Sequence, residues 1–457
     1  MKVAAIEVRD QAAAGASYQA HVNPQWVRLL NLLEMNARYV ECRGERLRTS
    51  EGRTILDFLS GYCVYNIGHN HPHVISALHE ELDRQGPAML QSHVAELAGE
   101  LAAALCRRAG GRMEKAYFCS SGSEGVEAAI KFARAHTGRN HLIAARGAFH
   151  GLSCGALSLM DNEFWSGGFG PMLSGVSFVS FGDLAQLEKL LATKKFAALM
   201  LEPVQGEAGI VVPPADYLQA AQALCRRYGT LLVIDEVQTG LFRTGTFLTS
   251  QRYGLDPDMI ILAKALSGGL VPVGAVLMTD AIYDSVYGSL RRAIVHTSTY
   301  SENTLAMRAG LATLEVLDQE DLGSRAERLG ESFRASLRQA LANYEMIAEV
   351  RGQGFFSGIV FGPPRSLGLR LSYEAFTRVH PAMFGQMLVV RMYKDHGILT
   401  QICGNNFMVL KAAPPLNATE ESLEKFVLGI TGVMEVVHSS RQFWSDALTL
   451  AARAVKI

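Results

Sequence analysis

From about Ser76 onward the chain alternates between short apolar runs and longer amphipathic stretches. The runs Ala116–Cys119, His141–Ala145, Ala197–Leu201, Leu231–Ile234 and Met259–Leu262 are rich in Val, Ile, Leu and Ala. Between them, stretches such as Val126–His136 and Tyr217–Tyr228 carry apolar residues at helical spacing. Strands that alternate with helices imply crossover units and a mostly parallel sheet, an α/β fold. The first fifty residues read as helical and polar, ending in a strand near Thr54–Phe58. A long helix is expected from near Asn303 past Leu317. Beyond it the pattern gives a helix at Gly323–Asn343, strands within Ile347–Phe361 and a tail helix after Thr419. Pro363, Pro364, Pro414 and Pro415 mark loops there. The expected division is an N-terminal segment 1–75 that joins the small domain, a large domain 76–318 and a C-terminal small domain 319–457.

Composition narrows the class. The 457 residues are 49% hydrophobic and 19% charged, enough apolar material for a large core. A net charge of -1 gives no electrostatic footprint for nucleic acid or an anionic membrane surface. No apolar run is long enough for a membrane-spanning helix. Glu7, Arg9 and Asp10 interrupt the stretch where a signal peptide needs unbroken apolar residues, so the expected location is the cytoplasm. Seven scattered cysteines without a C-x-x-C pair suit free thiols in a reducing compartment.

Three stretches carry candidate chemistry. In Phe118-Cys119-Ser120-Ser121-Gly122-Ser123-Glu124 an apolar run ends in small polar residues and a helical pattern follows. The free N–H groups of a helix start, with Ser hydroxyls and Gly, can cradle a phosphate. The same letters also describe a plain Ser N-cap with a Glu in the first turn. In Leu231–Gly240, Asp235 ends a buried-looking strand, at the sheet edge where open α/β folds place ligands. A buried carboxylate there needs a cation or hydrogen bonds. It could serve a protonated pyridine nitrogen, a structural ion pair, a helix cap or a magnesium ion. The magnesium reading is weakened because no G-x-x-x-x-G-K-[ST] occurs. In Pro257–Gly269, Lys264 directly follows an apolar strand and precedes small residues. Desolvation and nearby cations would make such an amine a nucleophile toward an aldehyde, whereas a snorkelling surface lysine is the plainer alternative.

The order of these signals, with further motifs, resembles the class III (ornithine aminotransferase-like) pyridoxal-phosphate (PLP) aminotransferases of fold type I. The likeness spans about residues 40–420. It runs through Phe58–Gly61, Gly68–Pro72, Ser121–Glu124, Phe149–Gly151, Leu201–Glu207, Asp235–Gly240, Lys264–Gly269, His296–Thr299 and Val350–Gly354. It implies a mostly parallel seven-stranded sheet flanked by helices, plus a smaller α+β domain from both chain ends. It implies that Lys264 carries PLP as a Schiff base and shuttles the proton, and that Asp235 keeps the pyridine nitrogen protonated. Ser121, Gly122 and Ser123 match the phosphate turn. Phe149 and Val237 match the groups on the two ring faces, and Gln238 the partner of the ring hydroxyl. His150 and Glu202 complete the cofactor-side set, with a structural hydrogen-bonding role for Glu202 and Glu236. Thr299 matches a residue that reaches the phosphate in the neighbouring subunit, which implies a homodimer with shared active sites. Glu207 matches a glutamate near the substrate. His69, His71 and His73 follow the family's Gly-His-x-His-Pro loop, and no carboxylate or Cys lies near them in sequence, so no metal is expected.

The departures bear on substrate. Acetylornithine-type members have an Arg after Phe-His-Gly to grip an α-carboxylate, and this chain has Leu152. The Arg that many members place before Ala-Pro-Pro is Lys411. Arg offers a planar fork and Lys a point charge. The family's Gly-Gly-Asn-Pro is replaced by Ser301-Glu302-Asn303-Thr304, which bears on the interface near Thr299. These features look more like putrescine aminotransferase relatives and members of lipid, hopanoid or polyketide pathways. The expected reaction is that of an ω-aminotransferase on a terminal amine or aldehyde, with a keto acid partner and Lys411 aiding the acid's carboxylate. Competing readings are an aminomutase or decarboxylase on the same fold, and a PLP-binding protein without turnover. A nicotinamide dehydrogenase is more distant, because no G-x-G-x-x-G follows the first expected strand.

Overall fold

The computed structural model describes residues 11–90, 92–379, 383–440 and 443–444; Glu7, Arg9 and Asp10 lie outside them. Seven strands form the central sheet: β1 Lys115–Cys119, β2 His141–Ala145, β3 Val176–Val179, β4 Phe196–Leu201, β5 Leu231–Asp235, β6 Met259–Leu262 and β7 Gly274–Met278. Their spatial order is β1-β7-β6-β5-β4-β2-β3. β7 runs antiparallel to both of its neighbours and the other pairs are parallel.

Both faces of this sheet are covered, which is why its strands are near-continuous apolar runs rather than alternating ones. The period of two survives in the packing. Val233 of β5 joins the cluster under the helix Gly122–Thr137, with Val126, Phe132 and Ile261. Leu232 and Ile234 join the opposite cluster, with Leu187 and Tyr217 of the helices Leu184–Leu191 and Tyr217–Tyr228. Each such fully buried aliphatic contributes about 2 kcal/mol.

Beside this body lie two four-stranded sheets. One contains Tyr39–Arg43, Arg46–Thr49, Thr54–Asp57 and Ile398–Leu399, so segments from both halves of the chain share it. The other is antiparallel and built from Ile347–Gln353, Phe356–Phe361, Asn406–Ala412 and Gln401–Cys403. The long helix is Thr304–Gln319, with the Asn303 side chain accepting from Ala306 N at 2.9 Å. The tail helix is Glu420–Ser439, capped by Thr419. One expectation is corrected. The helical reading of the first fifty residues holds for Gln11–His21 and Pro24–Leu32, but 39–49 form a hairpin that turns at Gly44, where φ is +57°. A left-handed turn at glycine without a side-chain penalty lets two polar strands pair there.

The parallel pairing of β5 with β6 sets Asp235 opposite Ile261. The carboxyl ends of two adjacent strands therefore open side by side, and Lys264 follows two residues after β6.

Candidate active site

Asp235 is 4% exposed, so its two oxygens must be served from within the protein. One accepts from Val237 N at 3.0 Å and the other meets His150 Nδ1 at 2.8 Å. His150 comes from the loop after β2 and is fully enclosed. Burial alone would lower its pKa, but the hydrogen bond and charge of Asp235 outweigh that and hold the imidazole above its ordinary value. Its Nε2 has no partner among the described residues. Glu202, just past β4, accepts from Phe149 N at 3.0 Å and Gly206 N at 2.9 Å. Burial, with Asp235 adding to it and His150 opposing, pushes the Glu202 carboxyl up to about 7.

The helix Gly122–Thr137 points its N-terminus at the same place. Ser121 caps it by accepting from Glu124 N at 3.3 Å, and Glu124 accepts from Ser120 N at 2.9 Å. The N–H groups of Gly122 and Ser123 remain for a ligand, at the positive end of a sixteen-residue helix. Glycine is required at two close approaches. A Cβ on Gly122 would lie 2.9 Å from a Val237 methyl, and one on Gly151 would lie 2.2 Å from Ser123 Oγ.

Lys264 opens a single 3-10 turn with φ +47°, a left-handed conformation that costs a non-glycine residue about 1 kcal/mol or more. Its ammonium makes no hydrogen bond among the described residues. A cavity of about 460 Å³ brings Lys264 and Asp235 together with Ser121, Gly122, Ser123, Phe149, His150, Glu202, Val237 and Gln238. Thr299 is not among the residues lining it and stands exposed at the surface of the chain.

A second cavity, of about 630 Å³, meets the first at Phe149 and Lys264. Leu152 and Glu207 line it, whereas Lys411 lies behind Glu207 and is 0% exposed. The Lys411 ammonium pairs with Glu207 Oε1, 5.2 Å from the centre of the Tyr62 ring. Gln238 Nε2 donates to the same oxygen at 3.3 Å, and Gly404 N donates to the other at 2.7 Å. Burial works against both charges, but their attraction prevails: Lys411 is held above and Glu207 below its ordinary value. Sequence reasoning placed both residues near substrate without joining them. It also passed over Tyr62, Phe164, Trp165 and Asn405, which no local pattern sets apart. His69, His71 and His73 face three different carboxylates, Asp57, Glu320 and Glu315, so they do not converge.

Known proteins resemble this chain in sequence and in fold. The family model for class-III aminotransferases matches residues 31–434. The aminotransferase PigE of a Serratia species is 34% identical over 449 residues, covering 92% of this chain and 53% of that protein; the chain thus spans about half of that relative's length. The putrescine aminotransferase of Pectobacterium atrosepticum is 35% identical over 437 residues, 93% of this chain and 88% of that one. Among solved structures, an ornithine aminotransferase from Toxoplasma gondii, with PLP at partial occupancy in its active site, matches with a TM-score of 0.82. The two are 27% identical over 95% of this chain and 97% of that chain.

The Glu202–His150 pair fixes a pH dependence of stability. Both groups bind protons more tightly folded than unfolded, so stability falls as pH rises. The Glu202 share is lost between its ordinary value of 4.5 and about 7, and the His150 share as pH passes its raised value. Glu207, held low, is ionised throughout that upper range and contributes no slope there. Denaturant titrations of the cofactor-free protein at pH 5.5 and 8 are expected to show wild type losing about 1–2 kcal/mol more than E202Q. Equal losses would show that Glu202 is not perturbed.

Proposed function

The chain belongs to the class-III aminotransferase family, whose members depend on PLP, and from that premise we propose that it moves an amino group between a terminal primary amine or its aldehyde and a keto acid such as 2-oxoglutarate. One observation carries the reading. The ends of two adjacent parallel strands bring a buried carboxylate and an unpaired lysine into one cavity with a helix N-terminus.

The residues fit the cofactor. The N–H groups of Gly122 and Ser123, with the Ser121 and Ser123 hydroxyls, suit its phosphate. Asp235, its orientation set by His150 and Val237 N, suits a protonated pyridine nitrogen. Phe149 and Val237 flank the ring space, and Gln238 can reach a ring hydroxyl. Bound PLP supplies an aldehyde that condenses with amines and a ring that accepts the electron pair left when a proton is removed. Lys264 Nζ, free of any hydrogen bond among the described residues, is then the base that takes a proton from the amine-bearing carbon and returns it to the other side of the transfer. Asp235 itself is 4% exposed, and its shielding from water strengthens its interactions.

The acid is placed at Lys411. A keto acid brings a carboxylate into the second cavity, where Glu207 is paired with the buried Lys411 ammonium behind it. Glu207 turns away and the substrate carboxylate takes its place, so the buried charge stays paired throughout. Leu152, apolar and half exposed to this cavity, leaves the amine side without a carboxylate grip.

A second copy completes the site. The stretch that holds Thr299 exposes Leu290, Ile294 and Tyr300, and Leu90 is exposed in an earlier stretch. Thr304 ties the two stretches together, donating to Pro87 O at 2.7 Å and Ala88 O at 3.1 Å. A patch of this kind is suited to burial against another subunit. A cytoplasmic location fits seven cysteines that are all free. No described helix is long and apolar enough to cross a membrane.

Three outcomes follow. Titrating the purified holoenzyme with primary amines should bleach the visible band of the bound cofactor, and K264A should lose both that band and at least about 1000-fold in turnover. A K264A protein that retains both would end the assignment. The double variant K411M/E207Q, which leaves no lone buried charge, should raise KM for the keto acid at least about tenfold while sparing the amine half-reaction; an unchanged KM removes Lys411 from acid binding. Finally, I294D should sediment as a monomer with much reduced activity, and mixing K264A with T299A subunits should restore turnover. Full activity in a monomer would refute the shared site.

A further inference from the structure

We propose that the cavity of about 630 Å³ receives the uncharged body of the amine, that this body is a straight apolar chain or ring bearing a single amino group, and that Trp165 is the wall that selects it. The inference rests on the amine-transfer reading above and narrows its substrate.

Aromatic rings make the wall. Trp165 meets Phe149 edge-on at 5.4 Å and Phe164 edge-on at 4.8 Å. Leu29, Ile402 and Phe407 add further apolar surface. The polar atom of Trp165 is spent within the protein: its Nε1 donates to Asn405 Oδ1 at 2.8 Å. Asn405 is the clamp. It accepts also from Asn162 Nδ2 at 2.9 Å, donates through Nδ2 to Gly147 O at 2.8 Å, and donates through its backbone N to Glu207 O at 2.9 Å. One residue thus fixes the Trp165 wall and the loop before Phe149 through its side chain, and the backbone of Glu207 through its own backbone.

Charge decides what can lie against that wall. Among the described residues lining the cavity, the charged ones are Glu207 and Lys264. Lys264 is the reacting amine. Glu207 is occupied at Oε1 by Lys411 and Gln238 and at Oε2 by Gly404 N. A second ammonium on a diamine therefore finds no free carboxylate, only the neutral amides of Gln386 and Gln401, and the carboxylate of an α-amino acid reaches Lys411 only by displacing Glu207. The ammonium must exchange water for neutral partners, and the carboxylate must first break the Glu207–Lys411 pair. A methylene, by contrast, gains from burial at every added carbon.

The experiment measures cofactor bleaching in the holoenzyme by butylamine, hexylamine and octylamine, beside 1,4-diaminobutane, 1,6-diaminohexane and ornithine. The specificity constant is expected to rise about fourfold per methylene until the chamber is filled. Hexylamine should exceed 1,6-diaminohexane by about 100-fold or more. W165A should flatten the chain-length series, and W165E should shift the ratio toward the diamine. Loss of folding or of general activity would lower all amines together, so the ratio between them reads the wall itself. Diamines that equal or surpass monoamines overturn this inference while leaving amine transfer intact. Bleaching by ornithine alone likewise overturns this inference, and bleaching by none of these amines overturns both. A ratio unchanged in W165A and W165E removes Trp165 as the selecting wall.

Discussion

A carboxylate buried at the tip of a central strand must be given partners, and much of this protein's site follows from meeting that demand at Asp235. Stripping one partner from a buried pair costs about 3–5 kcal/mol, so the contacts around it are under strong constraint. His150 reaches Asp235 only because the loop after β2 turns beneath the strand tips. The same turn brings Phe149 N onto Glu202 and Gly151 against Ser123 at the helix start. One electrostatic demand therefore ties β2, β4, β5 and the helix Gly122–Thr137 into a single arrangement. Lys264, two residues beyond the neighbouring strand, is left facing the space they enclose.

The body of the fold was legible because its strands are buried on both faces. Runs such as Leu231–Ile234 need no partner information to be read. Val176–Val179 and Gly274–Met278 were passed over; they are as short, and the first carries Ser177 in its middle. The reversed direction of Gly274–Met278 leaves no trace in an apolar run, since pairing sense does not alter the period. The polar hairpin 39–49 was read as helix because its alternation is weak and its pairing begins at a single glycine turn. The strand-end Asp235 and Lys264 were legible for the opposite reason: charged residues abutting apolar runs are conspicuous.

What the sequence could not disclose are the contacts between distant segments. Lys411 and Glu207 are 204 residues apart and each looks like an ordinary charged residue. Asn405 and Trp165 are set apart by no local pattern. Their meaning comes from the hairpin Gln401–Ala412 being laid against the loops after β2 and β4. Arg243 makes a similar point: fully buried, it donates to Asn66, Phe355 and Pro414 and so joins three segments that share no local pattern.

The Glu207–Lys411 pair also shows how one chamber can serve two unlike partners in the proposed reaction. A lone Lys411 beneath apolar walls would be costly to bury and would attract any anion. Paired, it presents a neutral floor on which an apolar amine loses nothing. An arriving carboxylate can replace Glu207 like for like, because the exchange keeps the number of buried charges balanced. Lysine suits such an exchange better than arginine would. A guanidinium fork would hold the glutamate through two parallel bonds, whereas an ammonium holds it through one. The softer cation lowers the cost of releasing Glu207, and it lowers the grip on the incoming acid by the same amount. The substitution therefore trades affinity for the acid against a chamber that returns readily to its neutral state.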